Sequence, residues 1–213
     1  MFEFIFHRTA AVILFAVIIT SLAGCAATGN LTAEQLMSVD TSAPAQKPKL
    51  TVGDKWSYHS TSFKDYSIEV AEVTNKSVDM KYQTGGHRIF LPSLNYHYTN
   101  EELHSDVYVK MYSWPLTTGK KWEYPTYQDG HKLTTTAIVV GYESITVPAG
   151  KFMAVKIVYR CKWFRNGASG DAVKTIWYSP VVKSYVREQI DGFDAGGVKR
   201  YSSFTELLSY NVI

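Results

Sequence analysis

The 213-residue chain has only two cysteines, Cys25 and Cys161, and no paired-cysteine metal motif. It also lacks a Gly-x-Ser-x-Gly nucleophile elbow, a His-Glu-x-x-His zinc motif and a phosphate-cradling glycine loop. Each absence removes one local route to catalysis, although a triad assembled from distant positions needs no such signature. The sequence therefore assigns no catalytic residue, no cofactor-binding residue and no cofactor. No strong amphipathic helix is present, which removes the crossovers that parallel strands need. No internal repeat of fixed period stands out, and the charge balance of +3 is mild.

What is present begins at the N-terminus. Arg8 precedes a run of apolar and small residues, Ala10 to Ala23, that ends at Gly24 and Cys25. A membrane-crossing helix needs about 20 apolar residues, so this run fits a signal peptide better than a spanning segment. With Glu3, His7 and Arg8, the leading residues carry little net positive charge.

Leu22-Ala23-Gly24-Cys25 resembles the lipobox of bacterial lipoproteins. The resemblance implies cleavage between Gly24 and Cys25 and attachment of lipid to Cys25. At about 0.8 kcal/mol per buried CH₂, even two fatty chains anchor a protein stably, so the membrane is an expected partner. Ala26 follows the cysteine, where aspartate is associated with retention in the inner membrane. The resemblance thus implies a protein at the outer membrane, facing the periplasm, where nucleic acid is not an expected partner. The division expected is a signal peptide over 1–24, a lipidated cysteine with a flexible tether over 25–50, and one β-rich domain over 51–213. The tether is rich in Ala, Ser, Thr, Gln and Lys and contains Pro44 and Pro48. If disordered, its 25 or so residues span roughly 25 to 30 Å.

With Cys25 consumed by lipid, Cys161 is left without an internal disulfide partner. It lies in the clearest strand pattern of the chain: Met153, Val155, Ile157, Tyr159, Cys161 and Trp163 alternate with Lys156, Arg160 and Lys162. Such a period of two predicts a long strand with one buried side and Cys161 as a buried structural residue. Val107, Val109 and Met111 repeat the pattern, as do Val78, Met80 and Tyr82, and Trp56 with Tyr58.

Turn signals fall between these runs: Asn75-Lys76, Gly85-Gly86, Gly119-Lys120, Pro148-Ala149-Gly150, Asn166-Gly167 and Gly196-Gly197. Short connections join antiparallel neighbours. The expected fold is all-β, an antiparallel meander of about eight to eleven strands forming a curved sheet, half-barrel or small barrel that protects its edges. Aromatic residues, 14% of the chain, suit such a half-buried pleated surface.

Ile145-Thr146-Val147-Pro148-Ala149-Gly150-Lys151-Phe152, then Trp177-Tyr178-Ser179-Pro180-Val181-Val182-Lys183-Ser184-Tyr185-Val186 and the closing Glu206-Leu207-Leu208-Ser209-Tyr210, resemble the later strands of TapB-like bacterial envelope proteins. The resemblance covers about the last seventy residues and implies a fold without implying an activity. Val181-Val182 stands where that group often has a glycine before the lysine.

The sharpest chemical candidate is the stretch from His97 to His104. On a helix His97, Glu101 and His104 would share one face and could hold zinc; in a strand entering a loop they diverge. His59, His87 and His131 have no recognisable partner in sequence. Lys156, Arg160, Lys162 and Arg165 form a basic row that could face anionic lipid, or serve as the solvated side of a strand.

Three functions follow in order. The first is a noncatalytic envelope module whose curved sheet holds a lipid-like or other apolar ligand in an aromatic-lined cavity. The second is a structural or assembly subunit that docks another envelope protein. The third is a metal-dependent enzyme built around His97, Glu101 and His104.

Overall fold

The computed structural model describes residues 39–100, 105–128 and 131–213. The stretch expected to be a signal peptide, Cys25 and the first part of the expected tether lie outside the described residues, as do Glu101 and His104.

Every regular element among the described residues is a β-strand, as the alternating apolar pattern requires. In chain order these are β1 (Lys55–Ser60), β2 (Tyr66–Val73), β3 (Val78–Tyr82), β4 (His87–Phe90), β5 (Tyr96–Asn100), β6 (Ser105–Val109), β7 (Lys121–Gln128), β8 (His131–Val147), β9 (Gly150–Arg165), β10 (Ala168–Ser179), β11 (Ser184–Asp194) and β12 (Lys199–Asn211). Ten of them form one antiparallel sheet in the order β4-β3-β2-β1-β12-β11-β10-β9-β8-β7, and β5 pairs with β6 in a separate ribbon. The sheet is thus two meanders joined where β1 pairs with β12. It does not close into a barrel, because its two edges, β4 and β7, are not paired with each other. The chain passes from one edge to the other through the β5–β6 ribbon. Trp122 on β7 donates its indole N–H to the carbonyl of Lys110 just after the ribbon, at 2.7 Å.

All six turn signals lie between strands or at their ends. At the β9–β10 hairpin both turn residues take positive φ, 50° at Asn166 and 76° at Gly167. Asn-Gly meets that demand, which the right-handed twist of the flanking strands imposes on two-residue hairpins. A β-bulge in β8 at Gly141, where φ is 138°, shifts the register between β8 and β9.

The long β9 buries Val155, Ile157 and Tyr159 on one side, as its period of two predicts. Near its start the pattern changes: Phe152 and Ala154, on the other side, are also fully buried. The cause is the tip of the β8–β9 hairpin, which reaches β12. Ala149 donates its backbone N–H to Leu207 O at 3.0 Å, and Phe152 packs edge-on against Tyr210 with ring centroids 6.0 Å apart.

Part of the stretch read as tether is packed against the domain. Ala45 forms a β-bridge with Leu116, and Ala45 and Leu50 are both buried. The turn at Val181-Val182 is also settled. The left-handed conformation falls on Lys183 (φ 57°), leaving Val182 buried with its carbonyl accepting the Trp56 indole N–H at 2.7 Å.

Candidate functional site

The inward side chains of both meanders face one cavity of about 230 Å³. Register explains who meets there. Lys174 and Tyr178 reach it from β10, and Tyr178 pairs with Tyr185 on β11, which reaches it together with Glu188. From the other meander, Tyr66, Ile68, Met80 and Arg88 reach the same space.

The segment after β4 covers the cavity, and Asn95 fixes it there. This buried amide accepts the backbone N–H of Tyr112 at 2.8 Å and donates to Tyr112 O at 3.1 Å and to the Tyr108 hydroxyl at 3.0 Å. Tyr159 donates its hydroxyl to Met111 O at 2.6 Å, tying the cover to the sheet. Tyr112 then stacks on Trp114 at 4.9 Å, and Trp114 meets Tyr178 edge-on at 5.1 Å.

Polar atoms in this aromatic setting are mostly paired. Tyr58 shares hydrogen bonds with Ser184 Oγ (2.9 Å) and Tyr185 O (3.1 Å), and its ring stacks on Tyr185 at 4.7 Å. The hydroxyls of Tyr66 and Tyr185 are 3.0 Å apart. Lys174 Nζ lies 2.6 Å from Glu188 Oε2, an ion pair on the cavity wall with both side chains about three-quarters buried. Arg88 lies over the Tyr96 ring at 5.5 Å. The Tyr178 hydroxyl differs: it is buried and has no hydrogen-bond partner among the described residues. Burial holds Tyr58, Tyr112, Tyr159, Tyr178 and Tyr185 in the neutral form well above the ordinary tyrosine range.

Tyr178 also borders a second, more open groove of about 570 Å³, formed where residues 39–51 cross Tyr142, Pro180 and Lys183. At its edge the fully buried Asp54 carboxylate accepts the backbone N–H groups of Thr51 (2.9 Å) and Ile213 (2.7 Å) and an ion pair from Lys183 (3.0 Å).

The residues singled out from sequence are dispersed. His97 is in strand β5, exposed and opposite Tyr108, with their rings 5.2 Å apart. The helix that would have aligned it with Glu101 and His104 is absent at His97, because Tyr96–Asn100 pairs with Ser105–Val109 as a ribbon. Among the described residues no three His, Cys, Asp or Glu side chains gather as metal ligands. His59 and His87 pair with Asp65 and Asp79 at 2.8 and 2.9 Å, while His131 packs on the Phe164 ring. Cys161 is half-buried, and burial, more than its bond to Thr135, pushes its thiol up, away from the reactive thiolate.

Two members of the basic row, Lys156 and Lys162, have acidic partners across strands. Lys156 pairs with Glu143 at 3.3 Å and lies 5.4 Å over the Trp177 ring, and Lys162 pairs with Asp171 at 3.5 Å. Trp177 also donates to Glu143. Beyond it Arg187 lies over the Trp177 and Phe204 rings at 5.7 and 5.2 Å and pairs with Glu206 at 3.1 Å. This outer face is a ladder of matched neighbours.

The residues missed in sequence are those of the cavity. Lys174 carried a signal, since it occupies an inward position of the alternating series Lys174, Ile176 and Tyr178. Asn95 and Tyr112 carried none, because an irregular segment has no period to read.

No protein-family model matches the chain, and no curated protein matches it. The solved structures to which it is similar include these three. One is a candidate lipoprotein from Parabacteroides distasonis, at 16% identity and a TM-score of 0.46, covering 79% of this chain and 100% of that one. The second is a candidate exported protein with a YmcC-like fold from Bacteroides fragilis, at 14% identity and a TM-score of 0.46 over the same shares. The third is the hypothetical lipoprotein YmcC from Escherichia coli, at 10% identity and a TM-score of 0.41, covering 87% of this chain and 92% of that one.

Proposed function

We propose that this chain is a noncatalytic module of the bacterial envelope, anchored by lipid on Cys25 at the outer membrane, whose sheet takes an apolar or amphiphilic ligand into the cavity between its two meanders. The observation that carries the binding part is the cavity itself, where aromatic side chains of both meanders, Tyr66, Tyr82, Tyr178 and Tyr185 among them, meet the charged Arg88, Lys174 and Glu188. A concave space with apolar walls and a few convergent charged groups is the usual form of a small-ligand site.

Size supports a small occupant. At about 230 Å³ the cavity exceeds the roughly 150 Å³ apolar void that accepts benzene, yet falls short of the roughly 300 Å³ at which drug-sized pockets begin. A ring or the end of a short acyl chain fits that range. The anchor is supported by Leu22-Ala23-Gly24-Cys25 and its position after an apolar run, and the outer membrane by Ala26. The thiol of Cys161, raised by burial, suits a structural role better than a nucleophilic one.

Isolation of the full chain from bacterial membranes, followed by denaturing extraction and mass spectrometry, tests this reading. One amphiphile per chain, beyond any lipid bound covalently to Cys25, is the expected result. A chain free of noncovalent ligand contradicts it.

A further inference from the structure

Resting on the cavity reading above, we infer that the ligand is an anionic amphiphile, its carboxylate or phosphate held by Arg88 and its apolar part lying among the aromatic walls. The argument is one of charge. Four charged side chains line the cavity: Arg88, Lys174, Lys183 and Glu188. Lys174 is matched by Glu188 at 2.6 Å and Lys183 by Asp54 at 3.0 Å, both geometries of close ion pairs. Arg88 has no carboxylate within ion-pair distance among the described residues, and its guanidinium lies over the Tyr96 ring at 5.5 Å.

A guanidinium beside aromatic rings is the side chain best suited to a carboxylate or phosphate, because it presents paired N–H donors in a planar fork and sheds water readily. Arg88 sits on β4, an edge strand that leaves the side chain exposed while it still borders the cavity. The charged end of a ligand can therefore stay near water while the apolar end is buried, which avoids the desolvation penalty of an enclosed anion. A cationic amphiphile would meet Arg88 and Lys174 with only Glu188, already paired, to receive it.

The test uses the full chain in lipid nanodiscs and a diazirine-bearing octanoic acid, with labelled peptides located by mass spectrometry. Octanoate, octanol and octyltrimethylammonium compete; each carries a straight eight-carbon chain, octanoate's ending in its carboxylate, and the charge of the head group is the main difference between them. Label is expected on the strands around Met80, Arg88 and Tyr185. Octanoate should displace it at about tenfold lower concentration than octanol, as a charge-assisted contact implies, and the cation should be the weakest competitor. Arg88→Gln should erase the octanoate advantage and leave octanol unchanged. Equal competition by octanoate and octanol, preference for the cation, or an unchanged Arg88→Gln profile overturns the anionic assignment while the labelled cavity still stands. Label that avoids the cavity peptides overturns the cavity reading itself, and this inference with it.

Discussion

Lys183 places its ammonium 3.0 Å from the carboxylate of Asp54, a group wholly shielded from solvent. The pair fastens three pieces of chain at one end of the sheet: the turn before β1, the turn between β10 and β11, and the residues after β12, through Thr51, Lys183 and Ile213. The β10–β11 turn leads directly into Ser184 and Tyr185, which border the cavity. The ion pair is therefore part of what positions the site.

Asp54→Ala removes the acceptor for two backbone donors and one cation at once. Chemical denaturation is expected to show a loss of about 3 kcal/mol, since unsatisfied buried donors cost about 1 to 3 kcal/mol and Lys183 can still reach water. A loss below about 1 kcal/mol would mean that the three segments are held by other contacts.

A second prediction concerns Gly170. Trp163 crosses this glycine to donate its indole N–H to Phe193 O at 2.8 Å, linking β9 to β11 over β10. A Cβ at position 170 would lie 1.9 Å from Phe193 O and 2.6 Å from the indole nitrogen. Gly170→Ala should destabilise the domain by about 2 to 3 kcal/mol, in the range of overpacked cores, and alter Trp163 fluorescence. Wild-type stability and an unchanged spectrum would contradict the close approach.

The tyrosines predict the response to alkali. Burial raises the folded-state values of Tyr58, Tyr112, Tyr159, Tyr178 and Tyr185 above the ordinary value of 10.0. The unfolded chain therefore loses these protons first as pH rises, and stability must fall from about pH 10 upward. In a spectrophotometric titration Tyr201, exposed and lowered by its hydrogen bonds to Ser203 and then Ser62, should ionise first. The buried group should ionise only with loss of the folded circular dichroism signal. Titration of all fifteen tyrosines near pH 10 without unfolding would contradict the packing.

The anchor has its own test. Cys25→Ser should abolish incorporation of labelled palmitate and release the domain from membranes, whereas Cys161→Ser should change neither. Labelling that persists in Cys25→Ser would place the lipid elsewhere or remove the lipoprotein reading.

The sheet was legible in the sequence because a period of two is a local signal, repeated in β1, β3, β6 and β9, and because Asn166-Gly167 and the other turn pairs state where strands reverse. Pairing of β1 with β12 was not legible, since it joins residues more than 140 positions apart and no local pattern specifies the partner. The same limit hid the cavity. Its walls are strand positions whose inward direction could be read one by one, but Tyr66 meets Tyr185, and Arg88 shares a space with Lys174 and Glu188, only after the two meanders join. At His97 the strand alternative is the one observed: a spacing that would suit a helix begins in the β5–β6 ribbon.

The measurement that bears most directly on the binding function is native mass spectrometry of the full chain beside Met80→Trp, a substitution that fills the cavity from β3. Circular dichroism establishes that the variant keeps the β-fold. The wild-type chain is predicted to carry one noncovalent amphiphile and the variant none. Equal retention by both, or a ligand-free wild type, would contradict the cavity as the working site of the protein.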